Sequence, residues 1–249
     1  MPRRAIRRTL LPDADDTLWE SNIYFIEASA RFGVLLGACG IDPQAADRAA
    51  QETQLELIPT LGYGPASYLA GLELAVERLL RAQGQGLTPE LAARVRACGA
   101  VVADPPMRLA PGAVNALRAL RPTSRLILVT KGDSAFQRAK LARSGLAPLF
   151  DDCLVLPEKD EAAYRQLVRD LALDPATTWM IGNSPKSDIN PALAAGLGAI
   201  YIPHPHTWSA ELVPLERPDI TVILDALADL VAYFSPARSG SRSSVGAAS

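Results

Sequence analysis

The sequence predicts an α/β fold: a three-layer α/β/α, Rossmann-like domain built on a parallel sheet, with a small α-helical cap domain inserted near its start. Two features of the chain predict it. From Leu109 onward, short apolar runs alternate with helical segments, the signature of parallel β-α-β units. Between Trp19 and about Ala103 the patterning is instead helical, with almost no strand signal.

The elements follow in order. Thr9-Leu10-Leu11 is a short apolar strand leading into an acidic cluster. Ile23 to Leu35 suits one amphipathic helix, ended by Gly40 before Asp42-Pro43, and Leu69 to Leu80 suits another, closed by Gly84-Gln85-Gly86. Thr88-Pro89-Glu90 reads as a helix start, with Thr88 as cap and Pro89 in the first turn. Ala110-Pro111-Gly112 opens a helix through Leu120. Strands are expected at 125–130, 153–156, 178–182, 199–202 and 220–223, with helices at 134–144, 161–173, 191–195 and 224–233 between and after them. The expected division is 1–18 plus 104–235 as the Rossmann-like core, 19–103 as the helical cap and 236–249 as a flexible Ser/Gly/Ala/Arg-rich tail.

Composition narrows the function classes. A formal charge of −2 on 249 residues gives no electrostatic footprint for nucleic acid. No apolar run approaches the roughly 18 residues a bilayer span needs. Arg3, Arg4, Arg7 and Arg8 are followed by no apolar core or cleavage site, so a secretory signal is not expected. Cys39, Cys98 and Cys153 are too scattered for a disulfide framework or zinc site and fit a reduced, cytoplasmic setting.

The chemistry is written at the strand ends. Asp13 and Asp15 follow the first strand, Thr130 and Lys131 the second, Lys159 the third, and Asn183, Ser184 and Asp188 the fourth. Right-handed crossovers bring those ends to one edge of the sheet. Two carboxylates at i and i+2 would repel each other there, and a divalent cation relieves that. Oxygen donors of this kind suit Mg²⁺. Asp13 is then placed to attack phosphorus as a nucleophile, and Asp15 to protonate the leaving oxygen and later activate water. Thr130, at a strand-to-helix junction, can hold phosphate oxygens, and Lys159 adds a point charge, with Lys131 as its competitor. Asp188 would complete the cation site. Alternatively the acidic cluster caps the following helix, and Asp188 is a helix N-cap.

This pattern resembles the haloacid dehalogenase-like hydrolase superfamily. Asp13-Ala14-Asp15-Asp16-Thr17 matches its first motif, Thr130 its second, Lys159 its third, and Gly182-Asn183-Ser184-Pro185-Lys186-Ser187-Asp188 its fourth. The resemblance implies a phosphatase-type member with an α-helical cap after the first motif, acting on a small phosphoester with Mg²⁺ held by Asp13, Asp15, Asn183 and Asp188. True 2-haloacid dehalogenases of that family lack the second acid, because a halide needs no proton; Asp15 therefore favours phosphoryl transfer. Dehalogenation, a phosphomutase, or an inactive binding protein are the other readings, and the resemblance leaves a homodimer open.

Two residues depart from the pattern. Pro12 stands where a central strand usually has an N–H to offer, although a strand end tolerates proline. Asn183 stands where many phosphatases of the family have Asp, so a weaker hold on metal is expected. His204 and His206 read as a loop or pocket rim rather than as metal ligands, and Gly62-Tyr63-Gly64 reads equally as a hinge, a pocket wall or an interhelical turn.

Overall fold

In the computed structural model, residues 8–235 are described; the arginines at 3, 4 and 7 and the stretch 236–249 read as a tail lie outside them. Six parallel strands form one sheet in the order β3-β2-β1-β4-β5-β6. They are β1 (Arg8–Pro12), β2 (Ser124–Lys131), β3 (Asp152–Leu156), β4 (Thr178–Gly182), β5 (Gly198–Tyr201) and β6 (Val222–Ile223). The chain builds outward from β1 to β3, then returns to the other side of β1 for β4. The C-terminal ends of β1, β2 and β4 therefore meet where the strand order reverses, the place where such sheets hold ligands.

Strand periodicity makes the three layers. Along β2, Leu126 and Leu128 face one core with Leu10, Ile181 and Ile200, closed by α5 (Ala113–Leu120) and α9 (Asp229–Phe234). Ile127 and Val129 face the opposite core with Leu11 and Met180, covered by α7 (Glu161–Asp170) and α8 (Asn190–Ala194). Pro12 does not damage the sheet. It is the last residue of β1, opposite Ile181, and the ladder resumes at once with the Asp13 N–H on the Ile181 carbonyl at 2.8 Å. Arg8 is absorbed as well: its guanidinium donates to the Phe234 carbonyl at 2.7 Å and lies over the Phe234 ring, tying α9 to β1.

The region after β1 is four helices: α1 (Asn22–Gly37), α2 (Pro43–Leu61), α3 (Pro65–Ala82) and α4 (Pro89–Ala103). They bury their own core, including Phe32, Leu36, Leu72, Val76, Val95 and Val102. Thr88 caps α4 as expected, accepting from the Leu91 N–H at 3.2 Å. Helix α2 was not foreseen, because its buried face is Ala46, Ala50 and Thr53 rather than large apolar residues. Small residues let it press onto α3: a Cβ on Gly71 would lie 3.1 Å from the Gln54 nitrogen, and Thr53 Oγ1 donates to the Gly71 carbonyl at 2.8 Å. Asp42-Pro43, which follow the Gly40 expected to end α1, are the cap and first turn of α2, and α1 itself stops at Gly37.

Three boundaries also differ. The strand expected at 220–223 is only Val222–Ile223, and the last helix starts at Asp229 rather than Leu224, with Asp229 accepting from the Ala226 N–H. Helix α7 stops at Asp170, where the chain turns through Ala172 at φ +48° and the Leu173 N–H closes on the Val168 carbonyl. Two antiparallel linkers join helices to sheet, with Glu20 N on Arg108 O at 2.9 Å and Ala110 N on Leu18 O at 2.9 Å. Among the described residues, no helix is long and apolar enough to cross a membrane.

Candidate active site

Asp13, Asp15, Thr130, Lys131, Lys159, Asn183, Ser184 and Asp188 all line one cavity of about 940 Å³, between the strand ends and the inner faces of α1–α3. Its centre is an ion triad. Lys159 Nζ donates to Asp13 Oδ1 at 2.6 Å and also to Asp188 Oδ1. Asp13, Lys159 and Asp188 are only 6%, 3% and 0% exposed, so water compensates none of these charges. Burial, with Asp188 nearby, raises the Asp13 carboxyl to about 7, although Lys159 pulls it down. Lys159, although buried, is held well above its ordinary value by the two carboxylates. Asp188 is set from below: its second oxygen accepts from the Ser184 N–H at 2.9 Å, and it packs so closely on Gly182 that a Cβ there would lie 2.1 Å from Oδ2. Asp188 belongs to a π-type turn, Pro185–Ile189, of the sort found at functional sites.

Asn183 is oriented by two threonines. Thr17 Oγ1 donates to its carbonyl oxygen at 3.0 Å, and its amide donates to Thr207 Oγ1 at 2.8 Å. Its oxygen thus faces the Asp13 side, where Thr17 Oγ1 also lies 3.4 Å from Asp13 Oδ2.

Asp15 has separate partners. Its carboxylate pairs with Lys140 and accepts from Gln137 Nε2 at 2.9 Å and Trp19 Nε1 at 2.7 Å. Burial opposes ionisation, but Lys140 and the two donors together hold Asp15 below the usual carboxylate range. The capping role considered for the acidic cluster falls to Asp16 alone. Held at φ +57°, Asp16 accepts from the Ser21 N–H at 2.8 Å and the Asn22 N–H at 3.1 Å at the start of α1.

Lys131 does not join the triad. Its ammonium contacts Glu211 Oε1 at 2.7 Å, Ser187 Oγ at 2.9 Å and Glu158 Oε1 at 3.4 Å, with the Tyr63 ring 4.1 Å away. Tyr63 in turn donates to Glu158 Oε2 at 2.6 Å. The Gly62-Tyr63-Gly64 turn is therefore a pocket wall that touches the sheet edge. At Gly132, φ is +126° and a Cβ would lie 3.3 Å from the Tyr63 carbonyl, so the glycine lets that turn approach.

The donor set suits a hard cation: two buried carboxylates, Asp13 and Asp188, with an oriented amide oxygen from Asn183. Burial raises the Asp13 carboxyl, and a cation beside it would favour the ionised form. The Asp15 carboxylate stands outside this set, engaged by Lys140, Gln137 and Trp19.

A family model described as haloacid dehalogenase-like hydrolase matches residues 8–196. The chain belongs to the haloacid dehalogenase-like hydrolases. A haloacid dehalogenase-like family hydrolase from Xanthomonas campestris superposes with a TM-score of 0.76 at 27% identity, over 91% of this chain and 94% of that one. The magnesium-bound HAD-hydrolase YfnB of Bacillus subtilis shares the fold, with a TM-score of 0.58 at 21% identity over 92% and 99% of the chains. Pyrimidine 5'-nucleotidase YjjG of Escherichia coli is 32% identical over 107 residues, 41% of this chain. The match spans about half of that relative, 48% of its length.

Several residues of this hydrolase site were not singled out from sequence. Gln137 and Lys140 lie on α6 (Ser134–Ser144), at i and i+3 on one face, and both are buried although polar. Polar residues at core-facing helical positions were the available signal. Thr207 and Glu211 come from the segment after β5, with no motif to mark them. Glu211 also accepts from Ser184 Oγ and Ser187 Oγ, each at 2.5 Å.

Gly182→Ala is expected to push Asp188 off its seat and destabilise the fold by about 1–3 kcal/mol, read by urea unfolding. An unchanged midpoint would show that Asp188 does not depend on this close approach.

Proposed function

We propose that this hydrolase is a Mg²⁺-dependent phosphomonoesterase that acts on a small phosphorylated metabolite through an aspartyl-phosphate on Asp13. The observation that carries the reading is the second carboxylate, Asp15, lining the same cavity as Asp13 but held by different partners. A halide leaving group would have no use for it. The pyrimidine nucleotidase named by the 32% identical relative hydrolyses a phosphomonoester, which supports the same reaction class.

In this reading Asp13 attacks phosphorus, forming the Asp13–phosphorus bond as the bond to the leaving oxygen breaks. Lys159 holds the Asp13 carboxylate in place and favours its ionised form. Thr130, 2% exposed at the end of β2, faces the transferred phosphate. Lys131, on the Glu211 side of the cavity, adds positive charge at its wall. Asp15 gives its proton to the leaving oxygen, then takes one from the water that attacks the phosphoenzyme, releasing phosphate and restoring Asp13. Lys140 keeps Asp15 ionised at rest, so the base role is preset. The acid role needs a proton, which the approach of a phosphate dianion favours. Mg²⁺, held by Asp13, Asn183 and Asp188, would neutralise phosphate charge and favour the Asp13 carboxylate. Residues 19–103 serve as the cap that shields the reaction from water, and 1–18 with 104–235 as the catalytic core.

A phosphate-release screen over many metabolites, nucleotides first, is expected to find turnover that needs Mg²⁺ and falls more than about a thousandfold in Asp13→Asn. Halide release from 2-chloropropionate without phosphatase turnover would overturn the assignment.

Lys140→Met removes the cation that depresses Asp15 while burial remains, so the Asp15 pKa rises. Hydrolysis of the phosphoenzyme, in which Asp13 is esterified and does not titrate, then needs higher pH, and the acidic limb of that step moves upward. Gln137 and Trp19 still donate to Asp15, which limits the shift. An acidic limb that stays in place would remove Asp15 from the base role.

A further inference from the structure

Outside the cavity, Glu20, His204 and His206 converge. Each offers one ligand atom, and the three atoms lie within 4.8 Å of one another. His204 Nε2 is 3.4 Å from Glu20 Oε1, and His206 Nδ1 is 3.7 Å from Glu20 Oε2. Donors about 2.0–2.1 Å from a tetrahedral ion stand roughly 3.3 Å from each other, so these spacings are close to those of a metal's edges. His206 Nδ1 is buried and makes no hydrogen bond. The main chain at His206 is held by Asn22, whose Nδ2 donates to the His206 carbonyl at 2.7 Å.

We propose that Glu20, His204 and His206 form a second metal site, for a borderline divalent ion of the Zn²⁺ class, with the remaining position open to water. Two imidazoles and one carboxylate suit such an ion and not Mg²⁺, which prefers oxygen donors. None of the three residues lines the cavity that holds Asp13. The proposal therefore stands independently of the reaction the hydrolase catalyses.

Metal binding requires a change of tautomer at His204, at the cost of the bond that its Nδ1 accepts from the His206 main-chain N–H. At present the His206 N–H donates to His204 Nδ1 at 3.3 Å, which puts the imidazole proton on Nε2, facing Glu20. Metal binding at Nε2 moves that proton to Nδ1, whose other neighbour is the Asp16 carboxylate at 3.9 Å. A carboxylate behind a ligating histidine is the usual arrangement that fixes ring orientation. The ion would tie the turn after Asp13 to the loop after β5. That loop carries Thr207, the residue that holds Asn183, so the site would brace one wall of the cavity from outside.

Co²⁺, a coloured stand-in for Zn²⁺, tests the proposal on the full chain in excess Mg²⁺. Wild type and Asp188→Asn should both develop the intense visible bands of tetrahedral Co²⁺. His204→Ala, His206→Gln and Glu20→Gln should lose them and bind Co²⁺ at least about tenfold more weakly. Zn²⁺ should raise the wild-type melting temperature and leave that of His206→Gln unmoved, which reads the site even if one variant is less stable. Bands that survive in His206→Gln, or that vanish only in Asp188→Asn, would place the ion in the catalytic cavity and overturn the proposal. No Co²⁺ binding by wild type would reduce the cluster to a histidine–glutamate ion pair and overturn it equally.

Discussion

The buried ammonium of Lys159, shared between Asp13 and Asp188, is the contact on which the rest of this site depends. Two carboxylates this deep in a protein cannot both remain ionised without a countercharge. Lys159 supplies one charge against two; burial pushes the Asp13 carboxyl up to about 7, against the pull of Lys159 and with a smaller push from Asp188. The geometry around it exists to keep these three groups in register. Gly182 is bare so that Asp188 can lie against it, the Ser184 N–H fixes the far oxygen of Asp188, and the β1–β4 ladder continues to Asp13 itself. A cation beside Asp13 and Asp188 would complete the balance that Lys159 leaves unfinished.

A second pair works against the first. Lys140, from α6, depresses Asp15, while burial raises Asp13 only two residues away. For Asp13 to act as nucleophile and Asp15 as proton carrier, both shifts must be countered: a cation beside Asp13 would favour its ionised form, and a bound phosphate dianion would raise Asp15. The helical insert adds the wall opposite them. Tyr63 reaches Glu158 and covers Lys131, so one contact joins the insert to the loop that carries Lys159. Opening the insert would break that contact and expose Lys131. Coupling of this kind makes shielding of the cavity and the placement of its charges parts of one arrangement.

Much of this was readable from residue order because parallel α/β topology does the spatial work. Once four apolar strands are recognised, their polar successors Asp13, Thr130, Lys159 and Asp188 must gather at one edge, whatever their separation in sequence. Helix α2 escaped because periodicity is visible only when the buried face is large and apolar, and Ala46, Ala50 and Thr53 carry no such contrast. Lys140 and Glu211 escaped for different reasons: Lys140 stands at a core-facing helical position whose polarity was a usable signal, whereas Glu211 is a lone charge after β5 that only the fold shows to be buried against the cavity. Pro12, which looked like a fault in a central strand, proves harmless because it ends the strand. His204 and His206 were read as a loop or pocket rim; they lie outside the cavity, beside Glu20.

The central claim is that Asp13 attacks phosphorus. Rapid quench of a single turnover with phosphoester substrate, followed by borohydride reduction and mass analysis of the peptide containing Asp13, tests it most directly. An aspartyl-phosphate on Asp13 is reduced to homoserine, so homoserine should appear at position 13 during turnover and be absent without substrate. Phosphate release with no homoserine at position 13 would mean that water attacked the phosphoester directly and would contradict the account.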